Sequence, residues 1–130
     1  MKLRYEHGLL FAHIKIEYNG KKIDLKNVVV DTGASHTIID PDAVHEAGIK
    51  AEAGDKFITM YGIGGEHYAY RKNIDCIEIG DGKLNNISLD FGIIDEEGII
   101  NGLLGLDVLM KLGIKINLDK LELESNNEKS

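Results

Sequence analysis

The sequence predicts a small, mostly antiparallel β domain with one or two short helices. Three observations carry that prediction. Asn19-Gly20, the strongest short hairpin signal, joins two segments that alternate polar and apolar residues. Short apolar runs then recur along the chain, each stopped by a turn rich in Gly, Asp or Asn. Only two stretches carry helix caps and helix spacing, and both are short.

The elements follow in order. Leu9 to Tyr18 becomes partly alternating from Ala12 onward, as a half-buried strand does, and Lys21 to Lys26 alternates back as its return strand. Asn27 precedes Val28-Val29-Val30, whose β-branched side chains pack well on a pleated surface and read as a buried strand. That strand delivers Asp31 into a tight turn, Thr32-Gly33-Ala34-Ser35, in which Gly33 is expected to supply backbone freedom. Thr37-Ile38-Ile39 resumes a strand-like run. Asp40 to Gly48 predicts one or two helical turns, with Asp40 as cap, Pro41 at the first helical position and Gly48 as the stop. Lys56 to Tyr61 and Glu66 to Tyr70 read as two strands around the glycine-rich tip Gly62-Ile63-Gly64-Gly65. Ile74 to Ile79 and Ile87 to Ile94 are further strands, and Asp95-Glu96-Glu97-Gly98 an acidic, solvated turn. Ile99 to Gly105 is a glycine-punctuated strand, Leu106 to Leu112 a short amphipathic helix closed by Gly113, and Ile114 to Leu118 a strand that Leu121 to Leu123 could either continue or return along. One domain over residues 1–124 and a polar tail over 125–130 are expected.

Bulk properties narrow the function. A chain of 130 residues fits one domain, and 43% hydrophobic content supports a real core. The net charge of -7 and scattered Lys and Arg argue against nucleic-acid and anionic-membrane partners. No apolar stretch approaches the ~20 residues that span a bilayer. The first residues, Met1 to His7, lack the apolar region of a signal peptide, and the single cysteine, Cys76, has no internal disulfide partner, so a cytoplasmic location is expected. Cys76 itself reads as a small buried hydrophobe. The five histidines show no tight ligand spacing and no cysteine pair joins them, so no metal and no cofactor are expected. The glycine-rich tip is not a phosphate loop: no Lys-Ser/Thr follows it, and no strand-to-helix junction surrounds it. It fits a hairpin lid better.

A carboxylate on a rigid apolar strand, aimed out of a small-residue loop, suits general acid/base chemistry. Asp31 taken alone also suits an ordinary strand-ending turn. More of the chain bears on the choice. Asp31-Thr32-Gly33-Ala34-Ser35-His36-Thr37-Ile38-Ile39, then Met60-Tyr61-Gly62-Ile63-Gly64-Gly65, then Leu103-Leu104-Gly105-Leu106-Asp107-Val108-Leu109 stand in sequence order. Together they resemble the catalytic loop, the flap tip and the aliphatic-aliphatic-Gly element before the helix of the retropepsin-like aspartic proteases, the single-domain relatives of pepsin.

The resemblance implies an acid-protease closed β-barrel with one or two short helices, dimeric, and an aspartic endopeptidase acting on polypeptide substrate. One Asp-Thr-Gly in 130 residues supplies one carboxylate, so the second must come from a homodimer, Asp31 meeting Asp31 on a two-fold axis. In this resemblance Asp31 is the catalytic carboxylate, and Thr32 locks the two loops across the dimer. Gly33 admits the substrate backbone. Ala34 replaces a donor serine of pepsin-like enzymes, which implies a less acidic working pH. Ser35, His36, Tyr61, Gly62, Ile63, Gly64, Gly65 and Leu103 border the substrate, the flap residues closing over it. Three departures stand out. Ser35 and His36 occupy usually acidic positions, the flap tip is one glycine short, and Leu106 stands where the viral enzymes carry Arg, leaving Asp107 as a helix cap. Met1 to Gly8 is less apolar than a committed interface strand, which implies modest dimer affinity. A non-catalytic peptide-binding or dimerisation module on the same fold is the alternative, and a lobe supplied by a different chain a third.

Overall fold

The computed structural model describes residues 1–62 and 65–126, the side chains of 60–62 and 65 excepted. The strands are β1 (Arg4–Glu6), β2 (Leu9–Tyr18), β3 (Lys21–Val30), β4 (Ile38–Ile39), β5 (Lys56–Gly62), β6 (Gly65–Ile79), β7 (Gly82–Gly92), β8 (Gly102–Leu104), β9 (Lys115–Asn117) and β10 (Glu122–Glu124). Helix α1 spans Pro41–Val44 and continues as a 3-10 turn over His45–Ala47, and α2 spans Leu106–Lys111.

The sheet runs β1-β2-β3-β8-β4-β7-β6-β5, and a further pairing of β2 with β6 closes it. Strands β2, β3, β8, β4, β7 and β6 therefore form a ring. This is a closed barrel, mainly β with two short helices, as the resemblance implies. Its interior holds the alternate residues of the long strands, among them Ile14, Ile16, Leu25, Ile77, Leu89 and Phe91, all nearly or wholly buried. Each such side chain contributes about 1.5–3 kcal/mol on leaving water. Phe91 stacks on Tyr70 with ring centroids 5.4 Å apart.

Local chemistry explains the turns. Tyr18 pairs with Lys21 across Asn19 (φ 49°) and Gly20 (φ 79°), the left-handed pair that a two-residue hairpin requires. Asp40 caps α1, its carboxylate accepting from Asp42 N at 2.9 Å, and Gly48 ends the turn at φ 80°. Gly113 (φ 59°) closes α2.

Two predicted breaks are continuous strand. Asn27, expected to separate two strands, lies inside β3 at φ 59°, where the register with β2 shifts between Ala12 and Ile14. The chain bulges there and the strand goes on. The polar run Arg71-Lys72-Asn73, which falls between the predicted strands Glu66 to Tyr70 and Ile74 to Ile79, lies inside β6. Arg71 Nε donates to Asp90 Oδ1 at 2.7 Å and its Nη2 to Asp90 Oδ2 at 3.3 Å. Buried Lys72 donates to Glu52 Oε1 at 2.6 Å and to Asp55 Oδ1 at 3.0 Å. Burial works to depress Lys72, but these two carboxylates and their hydrogen bonds hold it above its ordinary value. The Lys72 hydrogen bond in turn lowers Asp55. Ion pairing from distant segments thus satisfies charges that a local pattern reads as a break.

The N-terminal arm is engaged within its own chain. Leu3 N donates to Leu121 O and Leu123 N to Met1 O, both at 2.8 Å, while β1 pairs with β2 and β9 with β10. Order extends past Leu123: Asn126 N donates to Leu112 O at 2.9 Å. Residues 127–130 of the expected tail lie outside the described residues.

Candidate active site

Strand β3 runs parallel to β8, with Val30 opposite Leu104, and Asp31 N donates to Leu104 O at 2.9 Å. Asp31 therefore leaves the barrel with its backbone still fixed to the neighbouring strand. Its carboxylate is partly exposed. Oδ1 accepts from Gly33 N at 3.0 Å, and Oδ2 has no hydrogen bond among the described residues. Gly33 does not take a positive φ, so backbone freedom is not what selects it. A Cβ there would stand 3.3 Å from Asp31 Oδ1. Glycine keeps the space beside the carboxylate open.

The rest of the loop is tied to the start of α2. Ala34 N donates to Asp31 O at 3.1 Å, Leu106 N to Ala34 O at 2.8 Å, and Asp107 N to Ser35 O at 3.2 Å. Gly105 passes directly behind the loop. A Cβ on it would come within 2.7 Å of His36 C and 2.9 Å of Ala34 O, both backbone atoms that cannot step aside. Thr37 is completely buried and closes the loop through Asp107, whose carboxylate oxygens each accept from Thr37 N at 3.0 Å. Beyond it, Ile38 pairs with Leu103 on one side and Asp90 on the other.

The structure thus gathers Asp31, Thr32, Gly33 and Ala34 over β8 and α2, with Ser35 and His36 exposed at the surface of the same loop and Leu103 partly buried beside Ile38. Thr32 is exposed in the single chain. Of the expected flap residues, Tyr61, Gly62 and Gly65 lie at the far end of the β5–β6 hairpin, where Tyr61 pairs with Glu66 and Gly62 with Gly65. Ile63 and Gly64 lie outside the described residues, and the side chain of Tyr61 is not described. Nearby, Glu66, His67 and Tyr68 of the hairpin and Ile93, Ile94 and Glu96 line a groove of about 340 Å³. Asp95, expected in a solvated turn, organises that loop. It accepts from Glu97 N at 3.1 Å and from Ile99 N and Ile100 N at 3.0 Å, and these bonds, Ile100 foremost, lower its carboxyl. No group of three His, Cys, Asp or Glu side chains among the described residues is placed to hold a metal ion.

Sequence reasoning passed over Thr37, Arg71 and Asp90, and gave Asp107 only a capping role. Thr37 and Asp107 lie inside two of the three motif blocks, so the blocks themselves held the signal. What joins them is visible only once the loop and α2 are superposed in space.

Residues 14–108 match the family model described as aspartyl protease, and the chain belongs to that family. Among solved structures it is similar to the crystal structure of a retropepsin-like aspartic protease from Rickettsia conorii, with a TM-score of 0.66 and 24% identity over 93% of each chain. At that identity the likeness establishes the fold. Curated protein sequences give no match.

Proposed function

We propose that the chain is an aspartic endopeptidase that works as a homodimer, with Asp31 of each copy supplying one of two catalytic carboxylates. The observation that carries this reading is Asp31 itself, a partly exposed carboxylate whose Oδ2 has no hydrogen bond among the described residues, on a loop bonded to β8 and α2 through Asp31, Ala34, Ser35 and Thr37. Two carboxylates about 3 Å apart cannot both ionise, so the pair shares a proton. The ionised member takes a proton from a water. That water attacks the scissile carbonyl carbon, and the protonated member donates to the carbonyl oxygen. The pair titrates as a unit. A two-fold axis is the economical way to bring one Asp31 to another. Thr32, exposed in the single chain, then faces the partner loop, and the β5–β6 hairpin closes over an extended polypeptide. Ser35, His36, Leu103 and the hairpin end border the substrate. A cytoplasmic setting belongs to the same reading and rests on the free, buried thiol of Cys76.

Cleavage of a denatured protein or a peptide library, with and without pepstatin, tests the reaction. Asp31→Asn should abolish turnover and leave the fold intact, and activity that survives it overturns the reading. Sedimentation at micromolar concentration tests the dimer, and a monomer that cleaves peptide refutes the shared site. Ser35 and His36, where the viral enzymes carry acids, favour one competitor, a peptide-binding module without catalysis. Saturable peptide binding without turnover between about pH 3 and 8 would decide for it.

A further inference from the structure

The catalytic loop has two limbs held in different ways. The entry limb continues strand β3 and is fixed by a main-chain bond, Asp31 N to Leu104 O. On the exit limb the Thr37 N–H has no main-chain acceptor among the described residues. Thr37 N finds its acceptor in the Asp107 carboxylate, 3.0 Å from each oxygen. The Thr37 hydroxyl donates to Asp107 Oδ1 at 2.7 Å and accepts from Gly105 N at 2.9 Å. Residue 107 also grips the loop from its main chain, since Asp107 N donates to Ser35 O. One residue of α2 therefore holds loop positions 35 and 37, with exposed His36 bridging them. An ordinary helix cap would not do this. The residue before α2 is Gly105, which has no side chain to cap with, and Asp107 sits one position into the helix. Its carboxylate does accept from Val108 N at 2.8 Å, but the rest of its acceptor capacity goes to the loop. The assembly is backed from the flap side of the barrel. Thr37 O accepts from Asp90 N at 3.3 Å, and Asp90 is the partner of Arg71 in β6.

We propose that Asp107 and Thr37 are positioning residues: through the shared carboxylate–hydroxyl tie they set the exit limb of the catalytic loop and hence where the Asp31 carboxylate stands. The proposal rests on the protease reading above. A buried N–H and hydroxyl that lose their acceptor must move or stay unpaired. Displacing a reacting group by about an ångström costs on the order of 100-fold in rate.

The test compares Thr37→Val, which keeps the shape and removes the hydroxyl, with Thr37→Ser, which restores it, and with Asp107→Asn, which keeps one acceptor oxygen. Steady-state turnover of a cleaved peptide is measured on the full chain, together with amide hydrogen exchange at Gly33 and Leu106. Thr37→Val should lose about 100-fold in kcat with KM within about threefold, while both amides exchange faster. Thr37→Ser should recover most of the kcat, and Asp107→Asn should fall between. A Thr37→Val enzyme with wild-type kcat overturns the proposal, as does a Thr37→Ser enzyme impaired as deeply as Thr37→Val. If Thr37→Val does not fold, Asp107→Asn carries the same comparison. Wild-type turnover is measured first and decides the protease reading by itself. Should it be absent, unchanged exchange at Gly33 and Leu106 in the variants still refutes the positioning role, and faster exchange still supports it.

Discussion

The hairpins β2–β3 and β5–β6 are built on the same local plan and end up in opposite settings. The first lies inside the ring, β2 flanked by β1 and β6, and β3 by β8. The second reaches out of it. Its β5 has β6 as its ladder partner, and β6 meets β7 only from Ala69 onward, opposite Gly92. Glu66, His67 and Tyr68 lie beyond that last rung and are exposed. The same contrast appears in the side chains. Phe11 and Ile16 of the first hairpin are buried, whereas Phe57 and Tyr68 of the second are 63% and 69% exposed. A hairpin becomes a barrel wall or an arm according to what pairs with its outer edges, not according to its own alternation. Under the proposed protease function the division is useful: the Asp31 loop needs fixed walls, and admission of a polypeptide needs a part that yields.

Substitutions on the two sides should separate accordingly. The largest effect is expected in the ring. Phe91→Ala empties the core against Tyr70 and should cost about 3–5 kcal/mol in urea unfolding. A loss below 1 kcal/mol would mean that this wall is not what holds the barrel. Gly105→Ala should follow, at about 1–3 kcal/mol, because its Cβ meets backbone of the catalytic loop. Activity should fall further than stability there, as the crowded atoms belong to His36 and Ala34.

A third test addresses the junction of ring and arm. Lys72 holds Asp55 below its ordinary value of 3.8, so the Asp55 contribution is complete above that pH and disappears as pH falls through the lower folded value. Wild-type stability should therefore drop with acid below about pH 4 more steeply than that of Lys72→Met, and equal slopes would refute the coupling. Smallest of all should be Phe57→Ala and Tyr68→Ala in the arm, each within about 0.5 kcal/mol in stability. Should either raise KM with stability unchanged, the exposed aromatics of the arm are contacting substrate.

What was legible in the sequence follows the range of the interactions. The turn at Asn19-Gly20 and the capped helix from Asp40 to Gly48 are decided by residues next to one another, and both appear where expected. The fold was legible because three motif blocks stand in order, each short enough to read. The continuity of β6 was not. Lys72 is tolerable in a strand interior only because Glu52 and Asp55 reach it from another segment. The Asp31 loop was recognisable as a motif, yet the reason it keeps its shape lies in α2. No local pattern around Thr37 announces that its N–H will be satisfied by Asp107.

Closure of the ring has a consequence for how the molecule forms. Val28–Val30 meets Gly102–Leu104, and Lys15–Glu17 meets Cys76–Glu78, so both seams join segments far apart in the chain. Such topologies fold in about milliseconds to seconds, much more slowly than helical bundles of similar size. Until the seams close, the side of the three-valine strand that faces β8 is an unpaired apolar edge, the kind of surface on which nascent chains stick to one another. The feature that makes the finished site rigid also makes its assembly the step most in need of dilution, low temperature or a chaperone.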